Sequence, residues 1–159
     1  MKKLSFIVLT LLLLHSLTSC GVFQGKDDAE KVAIAFFKDR IANGGGGSDK
    51  YYGKQFWQNT DKETWNDIKS VVEKAHGKLK NYSLVTWSAN SNLSSGKTSG
   101  TTVTLQYTTG YEKGRGTETL ILFKAAGSNN YLIVGHNFQS IEIEKLINKG
   151  IKNAASDAI

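Results

Sequence analysis

His136 and Glu118 are the two residues of this chain best placed to move a proton between them. His136 follows Gly135 in the run Tyr131-Leu-Ile-Val-Gly-His-Asn-Phe138, and Glu118 opens the run Thr117-Glu-Thr-Leu-Ile-Leu-Phe-Lys124. On neighbouring strands, the carboxylate would hold the imidazole in one tautomer, as general-base catalysis requires. The rest of such machinery is missing, since no nucleophile and no Asp/His pair stands at a diagnostic spacing. A histidine on a strand beside a glycine is also readily accounted for as hydrogen-bonded structure, so we read the chain as non-catalytic. Metal chemistry fares no better. The chain has three histidines, one of them in the leading apolar segment, and no His/Cys/carboxylate cluster has ligand spacing. Neither a metal nor a cofactor is implied. His76 closes a predicted helix and reads as a charge set against its dipole. Gly114-Arg115-Gly116 precedes no capped helix and is no phosphate loop.

Cys20, the sole cysteine, carries a different chemistry. Lys2 and Lys3 precede an apolar run from Leu4 to Leu14, after which the chain turns small and polar. That is the form of an export signal, too short to span a bilayer as a mature helix. Its exit, Leu17-Thr18-Ser19-Cys20, resembles the lipobox of bacterial lipoproteins. The resemblance implies cleavage between Ser19 and Cys20, with a diacylglyceryl thioether and an N-linked fatty acyl such as palmitate on Cys20. Thioether formation needs the thiol, and the peptidase needs small residues before it. Two or three acyl chains anchor a protein stably where one alone is marginal. Gly21 stands where an Asp favours inner-membrane retention in such proteins. The resemblance therefore implies an outer-membrane anchor, with the domain facing the periplasm. In that setting Asn92-Leu93-Ser94 is a chance match to a glycosylation acceptor.

Without residues 1–19, about 140 residues remain, enough for one domain with a proper core. The whole chain carries +6; Lys2 and Lys3 leave with the signal, so eighteen basic residues face fourteen acidic ones. The lysines are scattered and do not interleave with aromatics, which excludes a nucleic-acid footprint. Mild attraction to anionic headgroups is the simpler use of the charge. The chain has no proline and shows no internal repeat. With its one cysteine lipidated, the domain has no disulfide.

The elements that must position these residues follow from periodicity. Residues 20–26 read as the lipidated cysteine with a short tether, Gly21 to Lys26 reaching about 20 Å when extended. Residues 27–159 read as a single α+β domain. Asp27 and Asp28 offer an N-cap to a core helix with Ala29, Val32, Ala33, Phe36 and Phe37 inward and Ile34 and Ile41 widening the face. Asn43 and Gly44 to Gly47 end it. Ser48-Asp49 caps a short helix, and Thr60-Asp-Lys-Glu63 matches a capping box. The box precedes the stripe Trp65, Ile68, Val72, Ala75. Lys80 to Trp87 alternates as a strand, with Tyr82 and Leu84 on one side and Val85 and Trp87 on the other. After a polar loop from Asn90 to Gly100 comes a three-stranded meander. Its first strand puts Val103, Leu105, Tyr107 and Tyr111 on one face, and its last two read as covered on both faces. Ser140 caps an amphipathic helix over 140–156, striped by Ile143, Leu146, Ile147 and Ile151, with Lys145, Lys149 and Lys152 opposite.

Helices first and sheet after make an α+β order: N-terminal helices on a curved antiparallel sheet of about four strands. The matching residues are the Ala29…Phe36-Phe37 helix, Trp65, Gly77, Glu118-x-Leu120-x-Leu122-x-Lys124 and Tyr131-x-Ile133-x-Gly135. On these the chain resembles small bacterial envelope proteins of the nuclear-transport-factor-2-like and cystatin-like cone fold, in particular a domain family without an assigned function. It departs from that pattern at Tyr131, where the family often has Trp, and in its added C-terminal helix. The resemblance implies a pocket between sheet and helix, here lined by Phe36, Trp65, Tyr107, Tyr111 and His136. Two readings follow. One is an accessory or assembly subunit that meets an envelope protein through its sheet face or through Ile143, Leu146, Ile147 and Ile151. The other is a binder of a small hydrophobic or lipidic ligand in the pocket.

Overall fold

A computed structural model of the chain describes residues 19–44, 49–92, 99–141 and 143–145. Residues 1–18 of the expected signal 1–19, Gly45 to Ser48 and the stripe residues Leu146, Ile147 and Ile151 lie outside the described residues. The elements are α1 (Ser19–Ala42), a 3-10 turn (Asp49–Tyr51), α2 (Lys54–Asn59), α3 (Lys62–His76) and strands β1 (Leu79–Asn92), β2 (Gly100–Tyr111), β3 (Gly114–Ala125) and β4 (Leu132–Gln139). The strands form one open antiparallel sheet in the order β1-β2-β3-β4. Fold class is thus α+β, four strands with several helices. No helix among the described residues is long and apolar enough to cross a membrane.

α1 begins eight residues before the expected Asp27 cap, and the Gly21–Lys26 stretch expected to be an extended tether is helical. Side-chain pairs one turn apart take the place of the cap. Lys26 pairs with Glu30, while Gln24 Nε2 and Lys31 Nζ donate to Asp28 Oδ1 at 3.1 and 3.0 Å. Six helical residues rise about 9 Å, under half their extended reach. The buried stripe is Ala29, Ala33, Phe36, Phe37 and Arg40, a single face, whereas Ile41 is 38% exposed, so the wider burial expected does not occur. The helix ends where Asn43 N–H reaches Asp39 O at 2.9 Å and Gly44 takes φ 69°.

The capping of α3 shifts by one residue. Thr60 closes α2, and Asp61 is the N-cap, its Oδ1 accepting the Thr64 N–H at 2.8 Å and its Oδ2 the Thr64 hydroxyl at 2.7 Å. A shorter Asp side chain with two acceptors does here what Thr60 and Glu63 were expected to do. The buried stripe of α3 is Trp65, Val72 and His76, whereas Ile68 is 41% exposed. His76, expected as a charge set against the helix dipole, is wholly buried at the helix end. Gly77 ends α3 at φ 73°, where a Cβ would come within 2.6 Å of Glu112 Oε2.

Bulges on both edge strands decide which side chains face inward, the first at Lys80, where Leu79 pairs with Tyr111 and Asn81 with Gly110. Leu84 pairs with Tyr107 and Thr86 with Gln106, so Val85 is an extra residue on β1. Tyr82, Leu84, Trp87 and Ala89 consequently share the core-facing side, while Val85 is 60% exposed. Strict alternation had set Trp87 opposite Tyr82. β1 also runs on to Asn92, paired with Gly100, which shortens the expected loop. On β4, Gly135 pairs with Ile121 and Ile133 with Leu122, leaving Val134 as the extra residue. This brings Ile133 and His136 to the same face. The core lies between that face and the helices, with Val103, Leu105, Leu120, Leu122 and Ile133 at 0% exposure. Each such side chain contributes about 1.5–3 kcal/mol. The last two strands were expected to be covered on both faces, but Ile121 on β3 is 38% and Leu132 on β4 39% exposed.

Candidate functional site

Four elements and an isolated bridge at Tyr52 bring a cluster of polar groups together against α1. Arg40 comes from its buried stripe, four residues beyond Phe36. Glu118 comes from β3, in phase with Leu120 and Leu122, and His136 from β4 past its bulge. Tyr111 ends β2. Tyr52 is set by a parallel bridge to Ile133, where Gly53 N–H donates to Ile133 O at 2.8 Å.

Glu118, at 0% exposure, is the centre. Its Oε2 accepts from Arg40 Nη1 at 2.5 Å and His136 Nε2 at 2.8 Å, and its Oε1 accepts the Tyr111 hydroxyl at 2.5 Å. Arg40 Nη2 donates to the Tyr111 oxygen at 3.2 Å. His136 Nδ1 lies 2.9 Å from the Tyr52 hydroxyl. The Arg40 guanidinium also lies over the Phe36 ring, 5.3 Å from its centre.

Charge states follow from these contacts. Burial pushes the Glu118 carboxyl up, but the Arg40 charge and the hydrogen bonds from His136 and Tyr111 outweigh it and hold the group down at about 2. Burial drives His136 below its ordinary value, and its bond to Glu118 only partly restores it. Burial likewise raises Tyr52 and Tyr111. At neutral pH, then, Arg40 and Glu118 are charged, His136 is neutral and both tyrosines keep their protons. A neutral ring protonated on Nε2 donates to Glu118 and accepts the Tyr52 proton on Nδ1. Every bond in the cluster is then satisfied with one donor and one acceptor.

The order Tyr52, His136, Glu118 has the form of a proton relay. Its outer end is a phenol whose proton is held more tightly by burial, and both ring nitrogens of His136 are engaged. The cleft above it, lined by Phe36, Trp65, Val72, Leu79 and Phe138, has a volume of about 30 Å³. That is room for one or two waters, against about 300–1,000 Å³ for a small-molecule site.

Of the residues expected to line the pocket, Phe36, Trp65, Tyr111 and His136 converge on this cleft. Tyr107 does not. Its ring is packed 4.8 Å from Phe37 and 6.0 Å from Tyr82, deeper along α1. Arg40 and Tyr52 were not foreseen. Arg40 was legible in principle from its phase on the stripe of Ala29, Ala33 and Phe36, whereas Tyr52 depends on a bridge that no local pattern announces. Beside the cleft, His76 Nε2 lies 2.8 Å from Ser140 Oγ, which also accepts the Ile143 N–H at 3.1 Å. Trp65 Nε1 and His76 Nδ1 are buried with no hydrogen-bond partner among the described residues. No cluster of three or more His, Cys, Asp or Glu suited to a metal occurs among the described residues.

No family model, curated protein or solved structure matches the chain.

Proposed function

We propose that this chain is a bacterial envelope lipoprotein, held at the outer membrane by an acylated Cys20, whose domain serves as a non-catalytic accessory or assembly subunit. The observation that carries the non-catalytic part is a mutually bonded cluster beside a cleft too narrow for a small-molecule substrate. Arg40, Glu118, His136, Tyr52 and Tyr111 bond to one another, and both ring nitrogens of His136 are engaged. A long helix lying on a four-stranded antiparallel sheet is in keeping with a cone-like domain of the nuclear-transport-factor-2-like or cystatin-like kind, and a C-terminal helix from Ser140 belongs to the same reading. Because α1 already runs from Ser19, the anchored end carries little slack, and the domain rides against its membrane. The partner-facing surface is the outer side of the sheet, where Val85 and Ile121 are 60% and 38% exposed.

Two experiments test this. Cys20→Ala should release the protein from the membrane fraction; unchanged fractionation would refute the anchor. Photocrosslinkers at Val85 and Ile121 in cells should capture one envelope protein, and the absence of any adduct would refute the assembly role. One observation favours a small-ligand reading instead: the buried Trp65 Nε1 has no acceptor among the described residues. A stoichiometric molecule found by native mass spectrometry of the purified chain would establish that alternative.

A further inference from the structure

A second recess lies between α1 and the start of β4, apart from the cleft beside Glu118. Val32 and Ala35 of α1, Tyr51 of the 3-10 turn and Leu132 of β4 give it an apolar lining, and Lys31 and Lys50 stand on it too. Val32, Ala35 and Asp39 follow one another at three- and four-residue spacing, along the flank of α1 beside its buried stripe. Ala35 puts only a methyl group on that flank, which leaves the space open. Tyr51 forms the facing wall. Its ring meets Phe36 edge-on, centres 5.7 Å apart, and its hydroxyl donates to Asp39 Oδ2 at 2.8 Å. The groove has a volume of about 430 Å³, against about 30 Å³ for the cleft. That falls within the range of about 300–1,000 Å³ for a small-molecule site.

The two cations are held in a way that lets them turn. Lys31 Nζ donates to Asp28 Oδ1 at 3.0 Å and Lys50 Nζ to Asp39 Oδ2 at 2.8 Å, with the lysine side chains 72% and 63% exposed. Pairs so exposed contribute little. Each carboxylate also has a second donor, Gln24 Nε2 for Asp28 and the Tyr51 hydroxyl for Asp39. Turning either lysine into the groove therefore leaves no carboxylate without a bond. An apolar trough rimmed by two such cations suits one alkyl chain with an anionic head. We propose that this groove binds a fatty acid, its alkyl chain against Val32, Ala35 and Leu132 and its carboxylate between Lys31 and Lys50. The trough is walled by α1 on one side and the 3-10 turn on the other, so it takes a single detached chain and not a bilayer surface. It asks nothing of His136 or Glu118.

The test irradiates the full chain, purified in a non-ionic detergent, with a diazirine-bearing decanoate and maps the adducts by mass spectrometry. Adducts should fall on the segments around Val32, Tyr51 and Leu132. Decanoate should compete for them about tenfold better than octanoate, two methylenes shorter. Decanol, without the charge, should compete more weakly than decanoate. Lys31→Gln combined with Lys50→Gln should weaken labelling about fivefold. Ala35→Phe, which fills the groove, should abolish labelling at unchanged Tm; should that variant not fold, Leu132→Glu on the exposed wall gives the same comparison. Adducts elsewhere, around Trp65 in particular, or labelling indifferent to these substitutions would overturn the proposal. So would equal competition by decanol and decanoate, or competition by decyl phosphate alone. Lysine-dependent binding to anionic phospholipid vesicles without any adduct would overturn it too, since the cations would then serve the bilayer.

Discussion

Replacing Glu118 by Gln tests whether the polar cluster holds the fold together. The amide keeps the carboxylate's shape but leaves Arg40, 8% exposed, without its counter-charge. Two lines give the magnitude. Holding the carboxyl at about 2 rather than its ordinary 4.5 corresponds to about 3 kcal/mol in favour of the ionised fold. Removing one partner of a buried pair costs about 3–5 kcal/mol. A domain of this size has about 5–15 kcal/mol in all, so the variant should be marginal. In urea at pH 7 its midpoint should fall by roughly 2 M. The pH dependence has a definite sign. Because the folded value is depressed, the contribution of Glu118 is complete above pH 4.5 and is lost as pH falls towards 2. The variant should lack that window. A Gln variant within about 1 kcal/mol of wild type at pH 7 would refute the reasoning. If the single variant is too unstable to measure, Arg40→Met/Glu118→Leu serves in its place. Replacing both charges by apolar groups should leave the chain more stable than Arg40→Met alone, and a double variant less stable than that single one would refute it equally.

Further outcomes follow from single contacts. For His136 the depressed folded value means that stability is whole above its ordinary 6.5 and declines as pH falls below it; His136→Phe should remove this higher window and, by taking away one hydrogen bond to Glu118, shrink the lower one, which the Arg40 charge still maintains, as read in urea melts from pH 7 to 2. Gly77→Ala, forced into a left-handed φ and against Glu112, should lower stability by about 1–2 kcal/mol in thermal melts. Asp61→Ala should cost about 1 kcal/mol through loss of the α3 cap, while Thr60→Ala should be close to neutral. Trp65→Phe removes a buried donor without an acceptor and should leave Tm unchanged or raised; a large loss would mean that the indole N–H has a partner.

Much of this fold was legible because burial imposes a period. Val103, Leu105 and Tyr107 alternate along β2 as their pattern requires, and Ala29, Ala33, Phe36 and Phe37 mark the inward face of α1. What escaped were features set by long-range partners. The bulges at Val85 and Val134 arise from register with the neighbouring strands, and each changes which later residues face the core. His136 was found because it is a rare residue type, and Glu118 because it stood on the neighbouring strand. Arg40 was passed over because a charge on an apolar stripe reads as an interruption, although its phase put it inside. His76 reads as a charge against the helix dipole, and no local pattern announces its burial or its bond to Ser140, sixty-four residues on. The start of α1 was missed because its first turns are held by the side chains of Gln24, Lys26, Asp28 and Glu30, not by a cap.

The central claim, that the cluster around His136 serves architecture and that the protein acts by assembly, is tested most directly by His136→Gln in cells. The Gln amide can donate to Glu118 and accept from Tyr52, yet it is no base at physiological pH. With crosslinkers at Val85 and Ile121, the account predicts the same envelope-protein adduct from wild type and from His136→Gln, at equal yield and with equal Tm. A variant that folds as wild type does but forms no adduct, or a wild type that forms none, would contradict it.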